Sequence, residues 1–351
     1  MQPGLRRINV KKRIDYIDFM NIAACFAVVC LHCSGSVFEF GIVEEREWFL
    51  SMFIQTVMHF AIPVFFMITG TTLLEYRQKY DTKTFFKKRA SRTVLPFLFW
   101  SCFYLLLPVL LDGAAFPEFA LWKEGLLNNQ ANNIFWFFYT IWGVYLCIPV
   151  FSLLAREENF RIFEYICLLF FGAQALFPVI ARFVTPIYTE IIPNFVTGYV
   201  GYIFFGWLIY HETYDKKVRY FIYFLGICGA LLMFFGTYYL SSQAGAIDTF
   251  FMEYHSIACM PMSVALMLFA KHVRWECVYR VLPVGLVRKI AGAGLGVYVL
   301  HMFFIILFQR NEMIASHSMY FMVFIPFAAY LLSLGVVLVM QHISAVRRLI
   351  P

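Results

Sequence analysis

Long, nearly unbroken apolar stretches alternate with short polar gaps along the whole chain. Ten stretches approach the roughly 20 apolar residues that a helix needs to cross a hydrocarbon core: 16–34, 49–74, 94–111, 133–154, 162–181, 195–210, 220–240, 250–270, 290–308 and 320–341. They are apolar on every face rather than at every second position, which excludes a transmembrane barrel. The pattern predicts an all-α, polytopic membrane helix bundle of about ten spans, forming one integral membrane domain over 1–351. The segment 195–210 is the shortest. No internal repeat, low-complexity stretch or long linker interrupts the pattern.

The positions of the basic residues orient the bundle, because Lys and Arg stay on the cytoplasmic side. Gaps 1–14, 75–93, 155–161, 211–219, 271–289 and 343–351 hold 24 of the 28 basic residues. The alternate gaps hold only Arg46, Lys123, Arg182 and Arg310. An even number of spans with both termini cytoplasmic follows. The larger outer gaps, 35–48 and 112–132, are acidic, with Glu39, Glu44, Glu45, Glu47 and Asp112. The basic start resembles a signal peptide, but Asp18, Asn21 and His32 interrupt the apolar run behind it, so it reads as a retained first helix.

Composition agrees. The 351 residues are 62% apolar, 20% aromatic and 14% charged, against about 25% charged in soluble domains. Such a chain cannot cover its own surface in water, which excludes a soluble enzyme, a disordered scaffold and a secreted disulfide module. The net charge of +7 follows from the loop bias, so no nucleic-acid partner is expected. Most of the nine cysteines sit inside apolar runs and read as small buried hydrophobes. Cys30 and Cys33 have CxxC spacing, but His32 points about 160° from Cys30 on a helix, and no second ligand pair completes a metal site.

Polar groups inside spans carry the candidate chemistry, since they are costly in lipid and tend to face a bundle interior. Asp18, Asn21, Cys25, Val28 and His32 follow 3-4-3-4 spacing and form one stripe. Asn21 and His32 are about 16 Å apart along that face. The stripe reads equally as helix glue. In the gap before the third span, Lys88, Arg89 and Arg92 suit a phosphate-rich ligand, or simply anchor to anionic lipid. His301 follows Gly292 and Gly296, whose spacing permits close helix approach. Glu253 and His255 open the eighth span, and His59 reads as a packing residue. No P-loop, dinucleotide glycine motif or GxSxG elbow is present.

Taken in order, Tyr16 to Ala23, Val28 to His32, Ile62 to Gly70, Arg89-x-x-Arg92 with Pro96, Trp136 to Pro149 and Gly296 to His301 resemble the membrane acyltransferase 3 family over most of the chain. In that family a basic residue usually precedes the first-span histidine by ten intervening positions. Here that place is taken by Asn21, a departure that keeps hydrogen bonding and loses the charge.

The resemblance implies an O-acyltransferase that moves an acyl group, acetyl in the first instance, from cytoplasmic acetyl-CoA or another acyl-CoA to a hydroxyl of a surface glycan or glycolipid. His32, Asn21 and Asp18 are then the catalytic candidates, with His32 as general base. Arg89, Arg92 and Lys88 would hold the donor, and His301, Glu253 and His255 are secondary candidates. No permanently bound cofactor and no metal are expected. The expected setting is a multi-pass protein of a bacterial plasma membrane, with self-association left open. A reading from another class is a transporter or flippase for a small amino acid or a lipid-linked sugar, which would need no acyl donor.

Overall fold

A computed structural model describes residues 15–188, 198–310, 315–344 and 346–350. The five basic residues of the N-terminal gap and the first three residues of the predicted segment 195–210 lie outside these. The described residues are helical and contain no strand. The first half contains α1 (Asp15–Cys33), α2 (Glu45–Met58), α3 (Ala61–Leu73), α4 (Thr82–Asp112), α5 (Phe119–Leu127), α6 (Trp136–Phe151), α7 (Phe160–Phe171) and α8 (Phe177–Phe183). The second contains α9 (Val200–His211), α10 (Lys216–Leu231), α11 (Thr237–Ala244), α12 (Cys259–His272), α13 (Glu276–Tyr279), α14 (Val284–Gly292), α15 (Gly294–Gln309) and α16 (Met319–His342). Single π-turns at Gly172–Leu176 and Leu232–Gly236 join α7 to α8 and α10 to α11.

Among the described residues, seven helical stretches are long and apolar enough to cross a membrane, and α14 with α15 makes an eighth that bends by 61°. The predicted segments 195–210 and 250–270 contain α9 and α12, of 12 and 14 residues. At 1.5 Å per residue such helices fall short of a hydrocarbon core about 30 Å thick. Both lie within the bundle: Tyr202, Phe204 and Trp207 of α9 and Met267 of α12 are fully buried.

The tightest seam is between α3 and α9. A Cβ on Gly70 would lie 1.9 Å from the Ile203 carbonyl oxygen, and one on Gly206 would lie 1.9 Å from that of Met67. The two backbones therefore touch, and Thr71 Oγ1 donates to the Gly206 carbonyl at 2.8 Å. The α10 helix sits at the periphery, with Phe221, Phe224, Ile227 and Leu231 exposed, as a lipid-facing surface requires.

Polar groups at the same predicted end of the bundle pair with one another. At the basic end Arg77 Nε donates to Ser152 Oγ at 2.8 Å, and Tyr279 donates to Asp15 at 2.9 Å. At the other end Arg46, Arg182 and Arg310 pair with Glu44, Asp248 and Asp112. Three of the four basic residues in the acidic gaps are thus neutralised locally.

Candidate active site

The stripe on α1 faces the break between α14 and α15. A helix that ends leaves carbonyls without partners, and α1 supplies a donor to one of these at the end of α14 and another to the first residue of α15. Asn21 Nδ2 donates to the Ala291 carbonyl at 2.8 Å, and Cys25 Sγ donates to that of Gly294 at 3.4 Å. Gly294 keeps this approach open, since a Cβ there would stand 3.3 Å from the Asn21 amide nitrogen. Asn21 therefore pins a broken helix. Of the two glycines spaced for helix contact, Gly296 does pack, with Val337 only 2.8 Å from a Cβ placed on it. Gly292 has open space instead and lines a cavity.

Two chambers flank this break. The first, about 530 Å³, lies at the His32 end of α1. His32, His59, Gln55 and Glu253 supply its polar groups, and Trp136, Tyr199 and Tyr254 give it aromatic walls. His59 stacks on Tyr254 at 4.5 Å and also lines this chamber. Gln55 fixes the backbone that carries His32, because its Nε2 donates to the Leu31 and Ser34 carbonyls at 2.9 and 3.1 Å. Ser51 Oγ adds a bond to the Ser34 carbonyl at 2.6 Å. The fully buried His301 ring lies 5.2 Å from the His32 ring. Its Nδ1 is 3.3 Å from the Val297 carbonyl, which can only accept. The proton is thereby placed on Nδ1, leaving Nε2 as an acceptor.

The second chamber lies at the basic end, in two lobes of about 540 and 570 Å³ that share Asn21, Arg89, Arg92 and Gly292. Asp18, Glu75 and Lys79 line the first lobe, and Tyr145, Phe137 and Phe138 the second. Arg89 lies over the Tyr145 ring at 5.9 Å, and its buried Nε has no hydrogen-bond partner. An unpartnered buried donor on a charged group marks a place for an anion or carbonyl to bind. Thr93 holds this turn of α4 by donating to the Arg89 carbonyl at 2.9 Å and accepting from Trp142 Nε1 at 2.8 Å.

Among the described residues Tyr298 lines both chambers. Its ring packs 5.4 Å from Phe137 and 5.9 Å from His301, and its hydroxyl donates to the Ile134 carbonyl.

The structure thus gathers His32 and Glu253 around one chamber, with His301 buried against the His32 ring, and Asp18, Asn21, Arg89 and Arg92 around the other. It leaves two candidates aside. Lys88 lines neither chamber and lies 4.0 Å above the Tyr80 ring. His255 is enclosed by Tyr199, Tyr202 and Phe170, with ring separations of 4.5, 5.8 and 6.0 Å. Neither Gln55 nor Tyr298 is a candidate by sequence. Tyr298 stood inside a quoted motif, but nothing in its spacing tells a wall from a core aromatic. No group of three or more His, Cys, Asp or Glu that could hold a metal ion occurs among the described residues.

A family model described as an acyltransferase domain matches residues 14–340. No curated protein and no solved structure matches the chain.

Proposed function

Because the chain belongs to that acyltransferase family, we propose that it is a membrane O-acyltransferase. It would move an acetyl group from cytoplasmic acetyl-CoA to a hydroxyl of a surface glycan or glycolipid. One observation carries the reading: an arginine-lined chamber and a histidine-lined chamber meet at a shared wall, Tyr298.

In this mechanism the donor enters at the basic end, where Arg89 and Arg92 meet its negative charge. The thioester reaches Tyr298, and the acceptor hydroxyl enters the opposite chamber. A ring nitrogen of His32 takes the hydroxyl proton as the oxygen attacks the thioester carbonyl. The C–O bond forms, the C–S bond breaks, and the CoA sulfur leaves with the electron pair and receives the proton from His32. The aromatic walls and polar groups of the His32 chamber suit a sugar ring, apolar on its faces and polar at its edges.

Incubation of inside-out vesicles with labelled acetyl-CoA tests the proposal. The expected result is label on an extractable glycan or glycolipid, dependent on this protein and lost in His32→Ala. Movement of an unmodified sugar or amino acid without any acyl donor would instead establish a carrier.

A further inference from the structure

Beyond the two chambers, a third cavity of about 720 Å³ opens at the basic end. Arg92, Lys289, His342, Arg347 and Arg348 line it, and among the described residues no Asp or Glu side chain does. Two of these residues come from the segment following α16, which lies past the family match that ends at residue 340. That segment is docked on the bundle. Trp100 Nε1 donates to the Leu349 carbonyl at 3.1 Å, and Gln341 Nε2 donates to that of Ile350 at 3.4 Å. The Ile350 side chain is fully buried and stands 3.4 Å from a Cβ placed on Gly296. Anchored by these contacts, Arg347 and Arg348 remain exposed beside Arg92.

We infer that this cavity is the phosphate subsite for the nucleotide end of the acyl-CoA donor, with Arg347 and Arg348 closing one side of it. The inference rests on the donor proposed above and adds which part of it sits where. Arg92 belongs to this cavity and to both lobes of the neighbouring chamber, so a ligand can run from one to the other past a single side chain. The charge pattern sets its direction. The third cavity, where Arg92, Lys289, Arg347 and Arg348 supply the charge of the described lining, matches a diphosphate and a 3′-phosphate. The adjoining chamber contains Asp18 and Glu75 as well as Arg89, which suits the uncharged amide arm leading to the thioester.

A lipid headgroup offers the same phosphate chemistry, and the test separates the two sources. Wild-type protein and an Arg347→Gln/Arg348→Gln variant, reconstituted in nanodiscs of neutral lipid, are titrated with acetyl-CoA and with acetyl-pantetheine, which has no phosphate. The variant keeps Leu349 and Ile350, so the docked segment stays in place. Acetyl-CoA should bind the variant about tenfold or more weakly, the scale of a lost charge-assisted hydrogen bond, with a shallower salt dependence. Acetyl-pantetheine should bind both proteins alike. Equal acetyl-CoA affinity overturns the subsite and leaves the donor reading standing. An equal loss for acetyl-pantetheine also overturns it, as does a loss that appears only when the titration is repeated in nanodiscs containing anionic lipid. Wild-type protein that binds no acetyl-CoA overturns the donor reading itself, and this inference with it.

Discussion

The His32 and His301 rings stand 5.2 Å apart, tilted by 42°, although they come from opposite ends of the chain. Two intramembrane histidines in contact, one with its Nε2 buried and unpartnered, form a unit whose members should not act independently. His32→Ala should lower transfer about 10²–10⁴-fold, the usual cost of a lost general base, while acetyl-CoA still binds. His301→Ala should cost less, and the double variant should be no worse than His32→Ala alone. Initial rates of glycan labelling in vesicles measure all three. A stable His32→Ala protein with the wild-type rate would remove the residue on which the mechanism depends.

Arg89, in the proposed donor site, carries a buried nitrogen without a hydrogen-bond partner. Arg89→Ala should weaken acetyl-CoA binding about tenfold or more. Arg89→Lys should recover only part, since an ammonium cannot reproduce the guanidinium fork. Isothermal titration of both variants measures the difference, and unchanged affinity in each would reduce the basic segment to a lipid anchor.

Tyr298 lines both chambers, so in the proposed reaction its loss should uncouple donor cleavage from transfer. Tyr298→Ala should raise the release of free CoA thiol in the absence of acceptor, as water reaches the thioester. Tyr298→Phe keeps the wall and removes the bond to the Ile134 carbonyl. It should stay coupled and lose about 1–3 kcal/mol of stability, because a buried carbonyl goes unsatisfied. Thiol release and thermal unfolding of the two variants separate wall from bond.

Cys277 is the one exposed cysteine of the nine, and it lies in the basic gap 271–289. A membrane-impermeant maleimide should label it in inside-out vesicles and not in intact cells. Labelling from outside intact cells would reverse the proposed orientation and move the donor chamber to the wrong face.

Glu212, at the basic end, binds Lys271 at 3.1 Å and His272 at 2.8 Å with its side chain buried. Burial alone would raise its carboxyl, but hydrogen bonds from His272, the Tyr214 backbone and Lys271 outweigh it and hold the group below its ordinary 4.5. A depressed carboxyl adds stability above its unfolded value, and that contribution disappears as pH falls through the folded value. Wild-type protein should therefore lose thermal stability below about pH 4.5 more steeply than Glu212→Gln. At pH 7 the variant should be less stable by about 1.5–3 kcal/mol. Parallel melting curves for the two proteins would expose this term as missing.

Much of this arrangement was legible in the sequence, and the reason lies in periodicity. The 3-4-3-4 spacing from Asp18 to His32 places those residues on one face whatever surrounds the helix, and that face does line both chambers. The spacing does not say what the face meets. Asn21 reads as a lost charge until the α14–α15 break brings the Ala291 carbonyl to it. Likewise, apolarity marks α9 and α12 as membrane segments, and the sequence shows 195–210 as the shortest, while the shortness of α12 shows only once turns form before it. The contact of His32 with His301 and the double exposure of Tyr298 depend on tertiary packing, which residue spacing does not encode.

The backbone contact at Gly70 and Gly206 also bears on biosynthesis. With 12 residues, α9 is a weak insertion signal by itself, and its place in the bundle depends on a groove that α3 provides. The ribosome completes α3 long before α9, so the groove stands open while the intervening helices emerge. A bulky residue at Gly70 should therefore trap a nascent chain with its later helices unassembled, a substrate for membrane quality control rather than a slower enzyme.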